Sequence, residues 1–192
     1  MMGIYSRTKK LSTPLENSQI LQLTAGDLVE ISGYLYTARD SAHQKFFELI
    51  KKQEKLPIKL TGQIIFYAGP TPAKPGYPCG SIGPTSSYRM DPYTPLLLEY
   101  GLKGMIGKGS RSIEVIESII KNKAVYFVVI GGTAALIAKN VKQCEEVECK
   151  DLAGEIIYKL YMNNLTAIVA IDAYGNNIYD IEPQKYKSNR KL

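Results

Sequence analysis

The chain has 192 residues, of which 45% are hydrophobic and 22% are charged, as is usual for one globular domain with a substantial core. Its net charge is +6, but Lys185, Lys187, Arg190 and Lys191 supply four of these charges near the C-terminus. The charge left on the body is too small to indicate nucleic-acid binding. We therefore expect a single domain over 1–192, with a solvated and frayed basic tail at 183–192.

The N-terminus and the cysteines bear on the cellular compartment. Charged residues near the start are not followed by an apolar signal segment, and no apolar run is long enough to span a membrane. The odd count of cysteines, Cys79, Cys144 and Cys149, favours reduced thiols and a cytoplasmic protein. Cys144 and Cys149 alone are a weak metal signal, and a single histidine excludes a three-histidine zinc site from this chain alone.

The first part of the chain is β-rich and then becomes helical. Apolar residues alternate with polar ones over 19–23 and 27–36, which predicts two strands around a turn. Asp40 is the expected cap of a helix that runs to about residue 55. A buried strand is predicted at 63–68.

Strands and helices alternate in the rest of the chain. A stiff loop over 70–87 holds five of the ten prolines. Asp91 and Pro92 predict the cap and first residue of a helix at 91–100. Further strands are predicted at 104–107, 124–130, 166–172 and 178–179. Helices are predicted at 113–120, where isoleucines form a stripe, and at 133–142. This alternation indicates an α/β fold in which helices flank a mixed sheet.

The segment 83–91 reads Gly-Pro-Thr-Ser-Ser-Tyr-Arg-Met-Asp and is the most informative for function. The Gly-Pro pair fixes a turn, and the hydroxyls of Thr85, Ser86 and Ser87 precede Arg89. Hydroxyls and a guanidinium on a stiff loop suit a small carboxylate, because the arginine fork matches its two oxygens. The alternative is that the hydroxyls only close the turn and that Arg89 is solvated.

Four segments share one predicted position, where a strand ends and a helix begins: 37–40, the loop to Arg89, 107–110 and 131–133. The carboxyl ends of strands in open α/β sheets face the ligand crevice, and helix N-termini add positive charge there. We therefore expect Arg39, Arg89 and Lys108 to line one anion-binding pocket, although each alone could be a surface charge.

Two other interpretations are weaker. The run Gly107-Lys108-Gly109-Ser110 is not a P-loop, because glycine follows the Gly-Lys pair and the upstream glycine spacing is wrong. His43 has no serine or cysteine partner in sequence, so we expect it to be structural, or to support residues that contact a ligand.

Together, 37–44 (Thr-Ala-Arg-Asp-Ser-Ala-His-Gln), 83–91, 107–112 (Gly-Lys-Gly-Ser-Arg-Ser) and 130–135 resemble a known family. In this order they are similar to the β subunit, or C-terminal domain, of the iron–sulfur class I fumarate hydratases and L-tartrate dehydratases. The resemblance covers about residues 24–180. The chain differs from many relatives at Tyr88 and at Thr133, where proline is common.

The resemblance implies a swivelling β/β/α domain whose partner, an α subunit, binds a four-iron four-sulfur cluster with one open iron. It implies that Thr85 is the base and that Arg39, Arg89 and Lys108 hold the substrate carboxylates. His43 and Ser86 are the candidates for residues that support them. The cluster cysteines are absent from this chain.

The function that this implies is the reversible hydration of fumarate to malate by a hetero-oligomer, in which this chain is inactive without its α subunit. The alternatives are an L-tartrate dehydratase β subunit and a non-catalytic module that binds a dicarboxylate or docks on a partner. No nucleic acid and no membrane enter any of these interpretations.

Overall fold

The computed structural model describes residues 8–188, which contain seven β-strands, six α-helices and one 3₁₀ turn. The strands are β1 (Lys9–Ser12), β2 (Leu28–Thr37), β3 (Ile64–Phe66), β4 (Gly104–Gly107), β5 (Val125–Val128), β6 (Val141–Val147) and β7 (Ile157–Ile171). The helices are α1 (Asn17–Ile20), α2 (Asp40–Lys51), α3 (Thr94–Glu99), α4 (Ile113–Asn122), α5 (Ala134–Lys139) and α6 (Ile178–Ser188), with the 3₁₀ turn at Ser87–Met90.

All seven strands belong to one mixed sheet in the order β1-β2-β3-β4-β5-β7-β6. Strands β1 to β5 are parallel, and the long β7 runs antiparallel to β2, β5 and β6. Because β7 pairs with both β5 and β2, the pairings of β2, β3, β4, β5 and β7 close into a ring. The predicted α/β class, a mixed sheet with flanking helices, is confirmed.

Successive residues of the central strands face two separate cores. Ile64 and Phe66 of β3 pack into a core enclosed by the strands, whereas Ile65 and Tyr67 pack under helices α2, α3 and α4. Strands buried on both faces read as continuous apolar runs, which is why β3, β4 and β5 were recognisable in the sequence. Their parallel direction brings the carboxyl ends of β2, β3, β4 and β5 to one edge, here called the carboxyl edge.

Two predicted strands are wrong. Residues 19–23 contain the end of α1 and a turn, because the Gln19 side chain accepts a hydrogen bond from the Glu16 N–H and closes a helical turn. Residues 178–179 are the first two residues of α6, not a strand. The Asn177 side-chain oxygen accepts a hydrogen bond from the Tyr179 N–H and so favours the start of a helix.

The ends of the chain also differ from the prediction. Strands β1 and β6 were not predicted, and β6 is mostly exposed, so it lacks the apolar alternation that identifies a strand. Helix α6 includes 183–188 of the predicted basic tail, so this part is helical, and 189–192 lie outside the described residues. No helix within 8–188 is long and apolar enough to cross a membrane.

Both predicted aspartate caps are wrong, because each carboxylate binds an arginine instead. Helix α3 begins at Thr94 rather than at Asp91, whose carboxylate bonds to Arg111 and to the Ser112 N–H. Asp40 is the first residue of α2, and its carboxylate bonds to Arg89.

Arg111 is a buried cation that joins three parts of the fold. Its Nε lies 2.7 Å from Asp91, and its Nη2 donates to the Thr94 hydroxyl over 2.8 Å. Its guanidinium also lies over the rings of Tyr67 and Tyr126, at 5.3 Å and 5.0 Å from the ring centroids. Burial alone would lower the pKa of Arg111, but its contacts with Tyr67, Asp91 and Tyr126 raise it above the usual value. The side chain therefore ties β3, β5 and the start of α3 together as a charged group.

His43 is also fully buried, beneath the carboxyl edge. Its Nδ1 donates to the Arg39 carbonyl oxygen over 2.7 Å, and its ring meets Tyr67 edge-on at 5.1 Å. Its Nε2 has no hydrogen-bond partner among the described residues. Burial, the largest cause, lowers the pKa of His43 from 6.5 to about 4, so the ring is neutral near pH 7.

We predict that Arg111→Met destabilises the protein by ~3–5 kcal/mol, because it leaves the largely buried Asp91 carboxylate without its counter-ion. The matched control is Lys121→Met, which breaks the exposed ion pair with Glu99 and should cost less than ~1 kcal/mol. Urea unfolding followed by circular dichroism measures both. Equal effects of the two substitutions would contradict a central role for Arg111.

We predict that His43 titrates with a midpoint near pH 4, which NMR can follow without ambiguity in tag-free protein because the chain has one histidine. The unfolded chain takes up this proton below about pH 6.5 and the folded chain only near pH 4. Stability is therefore lost as pH falls through this window, by about 3 kcal/mol in total. A midpoint near 6.5 would show that the ring is solvated.

Candidate functional site

The segment from Thr85 to Arg89 crosses the carboxyl edge. The Thr85 N–H donates to the Tyr67 carbonyl oxygen over 2.6 Å, directly after β3. Ser86 then forms a bridge with Lys108, and the Ser87 N–H donates to the Lys108 carbonyl oxygen over 2.9 Å. Backbone bonds thus fix the hydroxyl-rich segment across the ends of β3 and β4.

Ser87 locks this segment in place, a role that the sequence did not indicate. Its Oγ accepts from the Lys108 N–H over 3.1 Å and lies 2.8 Å from the Tyr126 hydroxyl. A Cβ at Gly107 would come within 2.0 Å of the same oxygen, so only glycine fits beneath it. Burial raises the pKa of Tyr126, which keeps its hydroxyl protonated.

Arg39 lies between the end of β2 and the start of α2. Its guanidinium packs on Gly69, where an added Cβ would approach the Arg39 Cζ to 3.1 Å. Its Nε is buried and has no hydrogen-bond partner among the described residues. A buried donor without a partner is costly, so an acceptor that reached this N–H would stabilise the site.

Arg89 reaches the first turn of the same helix. Its Nε and Nη2 bond to the two carboxylate oxygens of Asp40, at 2.9 Å and 2.6 Å. About half of the Arg89 side chain is exposed. Arg89 thus binds Asp40, the residue that follows Arg39, through two parallel hydrogen bonds from the side of its guanidinium.

The side chains of Lys108 and Thr85 have no hydrogen-bond partner within residues 8–188. Lys108 is exposed, and its Cδ would lie 4.0 Å from a Cβ added at Gly131, which follows β5. The Thr85 side chain is half-buried, and its hydroxyl makes no hydrogen bond within the part of the chain that the structure describes. Ser86 is likewise half-buried.

Glu155, which the sequence did not single out, anchors the start of α2. Its carboxylate accepts from the N–H groups of Arg39 and Ser41, the latter over 3.0 Å. It comes from the loop between β6 and β7, 116 residues along the chain from Arg39, so no local signal could reveal it. The carboxylate satisfies the free N–H groups of the helix and complements its dipole.

These contacts bring the predicted segments together. The residues that follow β2, β3, β4 and β5 all lie at the carboxyl edge, and they carry Arg39, Thr85, Lys108 and Gly131. His43 lies beneath this edge and contacts it through the Arg39 carbonyl oxygen. The edge provides the cations Arg39, Arg89 and Lys108 and the Thr85 hydroxyl, to which no described residue bonds, and this set suits a small anionic ligand.

The cysteines do not fit an iron–sulfur cluster. Cys79 and Cys144 pack against the strand-enclosed core, whereas Cys149 packs against the core under the helices. Burial raises the pKa of all three thiols, which disfavours thiolate ligands. Within residues 8–188 no three His, Cys, Asp or Glu side chains are grouped so that they could hold a metal ion.

Known proteins resemble this chain over most of its length. Residues 5–181 match the family described as the fumarase C-terminus. A provisionally named L(+)-tartrate dehydratase subunit beta of Methanocaldococcus jannaschii is 38% identical over 172 residues, which cover 86% of this chain and 88% of that protein.

Two fumarate hydratases are similar over one part of their length. The anaerobic class I fumarate hydratase of Escherichia coli K12 is 35% identical over 88% of this chain and 32% of its own length. The mitochondrial fumarate hydratase 1 of Leishmania major is 34% identical over 79% of this chain and 28% of its own length. The chain thus spans about a third of these longer relatives and nearly all of the separate subunit, and it belongs to the fumarase C-terminus family of hydro-lyases.

Proposed function

We propose that this chain is the β subunit of a class I fumarate hydratase, which interconverts fumarate and (S)-malate together with an α subunit. The observation that carries the proposal is the segment from Thr85 to Arg89, bonded across the carboxyl edge beside Arg39 and Lys108. Cations suit the two carboxylates of such a substrate, and a proton acceptor, here the Thr85 hydroxyl, must be near the carbon that loses its proton.

The chemistry follows from these groups. Dehydration of malate removes a proton from one carbon and the hydroxyl group from its neighbour. Loss of the proton builds negative charge on the adjacent carboxylate, and fixed cations such as Arg39, Arg89 and Lys108 stabilise that charge. In this proposal the Thr85 oxygen receives the proton, and nearby cations favour its deprotonated form.

The remainder of the site belongs, in this proposal, to an α subunit that holds the four-iron four-sulfur cluster. The longer fumarate hydratases contain about two thirds of their length beyond the part matched here, which is room for such a domain. Apolar side chains exposed around the carboxyl edge support its contact with a partner: Tyr88, Ile113 and Ile130 are each at least 66% exposed. The 70–87 loop would form part of this interface.

A second candidate is an L-tartrate dehydratase β subunit. It is favoured by the match to a separate subunit of that description, over nearly its whole length. Tartrate carries one more hydroxyl than malate, so a single hydrogen-bonding contact could decide between them. In this proposal Tyr88, which precedes Arg89 and is largely exposed, is a candidate for that contact.

We predict that the purified chain hydrates fumarate no faster than buffer, and that adding the cluster-loaded α subunit restores turnover. Parallel assays with L-tartrate decide between the two substrates. The outcome that contradicts a two-subunit enzyme is turnover by the isolated, iron-free chain. Failure of the assembled pair on both substrates would leave the non-catalytic binding module as the function.

We predict that Thr85→Val lowers kcat by ~10²–10⁴ with KM within a few-fold, because the shape remains and the proton acceptor is lost. Thr85→Ser retains part of the activity, since it keeps the oxygen. Steady-state kinetics of the assembled enzyme and exchange of the malate C3 hydrogen with deuterium measure both. Normal exchange in Thr85→Val would assign the base to another residue.

A further inference from the structure

We propose that Asp40 is a positioning residue that fixes the Arg89 guanidinium, so that its unused edge faces a substrate carboxylate. The inference rests on the proposed function and deepens it. Asp40 itself does not contact the substrate in this account. It acts through Arg89, with which it shares two hydrogen bonds.

The donors of Arg89 show why the pair need not block the site. A guanidinium has five N–H groups, and Asp40 takes one from Nε and one from Nη2. The two on Nη1 and the second on Nη2 remain. They form another edge, which can bind a second carboxylate as a fork. Asp40 therefore binds the Nε side of the guanidinium and leaves the edge formed by Nη1 and Nη2 for another carboxylate.

The short Asp40 side chain has few rotamers, whereas the long Arg89 side chain has many. Asp40 lies in the first turn of α2, a helix whose start is bonded to Glu155 through the N–H groups of Arg39 and Ser41. Arg89 lies in a short 3₁₀ turn, and its side chain is half-exposed. Without Asp40, this flexible side chain would have to be ordered by the substrate itself, which weakens binding and misaligns the fork.

The alternative is that Asp40 competes with the substrate for Arg89. The two accounts predict opposite results when the carboxylate is neutralised, because removal of a competitor strengthens substrate binding and removal of a support weakens it. The pair is solvent-exposed, so its loss should change stability little. An effect on activity can therefore be separated from an effect on folding.

The test is Asp40→Asn in the assembled enzyme, with fumarate and L-tartrate as substrates. We expect kcat/KM to fall ~10–100-fold, within the range for removing a group that orients a functional side chain, with the unfolding midpoint unchanged. Glu99→Gln is the matched control, since it breaks an exposed ion pair with Lys121 at the ends of α3 and α4. Its kcat/KM should equal that of the wild type.

A double-mutant cycle assigns the effect to Arg89. In the Arg89→Ala background, Asp40→Asn should cause no further loss, because the side chain that it orients is absent. Additive losses, or an unchanged or increased kcat/KM in Asp40→Asn alone, would overturn the inference.

A second measurement does not depend on turnover. In NMR spectra of the chain alone, the Arg89 Nε–H signal should be sharp in the wild type and in Glu99→Gln, and broad in Asp40→Asn. If the wild type is inactive on both substrates, the proposed function fails and this signal still tests whether Asp40 fixes Arg89. An unchanged signal in Asp40→Asn would contradict that role.

Discussion

The buried ion pair between Arg111 and Asp91 is the contact on which the arrangement of the carboxyl edge depends. It joins the loop after β4 to the 3₁₀ turn that carries Arg89, and the same guanidinium lies against Tyr67 and Tyr126. The Tyr67 carbonyl oxygen in turn accepts a hydrogen bond from the Thr85 N–H, and the Tyr126 hydroxyl lies within hydrogen-bonding distance of the Ser87 hydroxyl. Burying a charge is costly unless it is paired, so this cluster specifies one position for the hydroxyl-rich segment.

The charges at the carboxyl edge fall into two groups. Arg111 is buried and neutralised by Asp91, and it serves the structure. Arg39, Arg89 and Lys108 differ from it, because the buried Arg39 Nε has no partner among the described residues, Asp40 takes only one side of Arg89, and Lys108 is exposed. The neutral ring of His43 beneath them adds no positive charge near pH 7. Arg111 therefore stabilises the structure of the edge, and Arg39, Arg89 and Lys108 are the cations proposed to bind a ligand.

The central fold was predictable from the sequence because strands buried on both faces and amphipathic helices leave strong local patterns. The predictions of 63–68, 104–107 and 124–130 as strands agree with β3, β4 and β5, and the isoleucine stripe agrees with α4. The exposed β6 leaves no such pattern. Asp40 and Asp91 were misjudged as caps for a related reason. The capping pattern is local in sequence and predicts that each carboxylate bonds to its own helix. In the structure the carboxylates bond to arginines 49 and 20 residues away.

The meeting of four loops at one edge was also predictable, because parallel strands place their carboxyl ends together. The contacts of Ser87, Arg111 and Glu155 were not, since each depends on residues distant in sequence. The roles of Arg39, Thr85, Arg89 and Lys108 remain proposals. The most direct test is a crystal structure of the chain assembled with its α subunit and a bound, unreactive dicarboxylate. The account predicts carboxylates on Arg39, Arg89 and Lys108 with Thr85 beside the reacting carbon, and a ligand bound away from the carboxyl edge would contradict it.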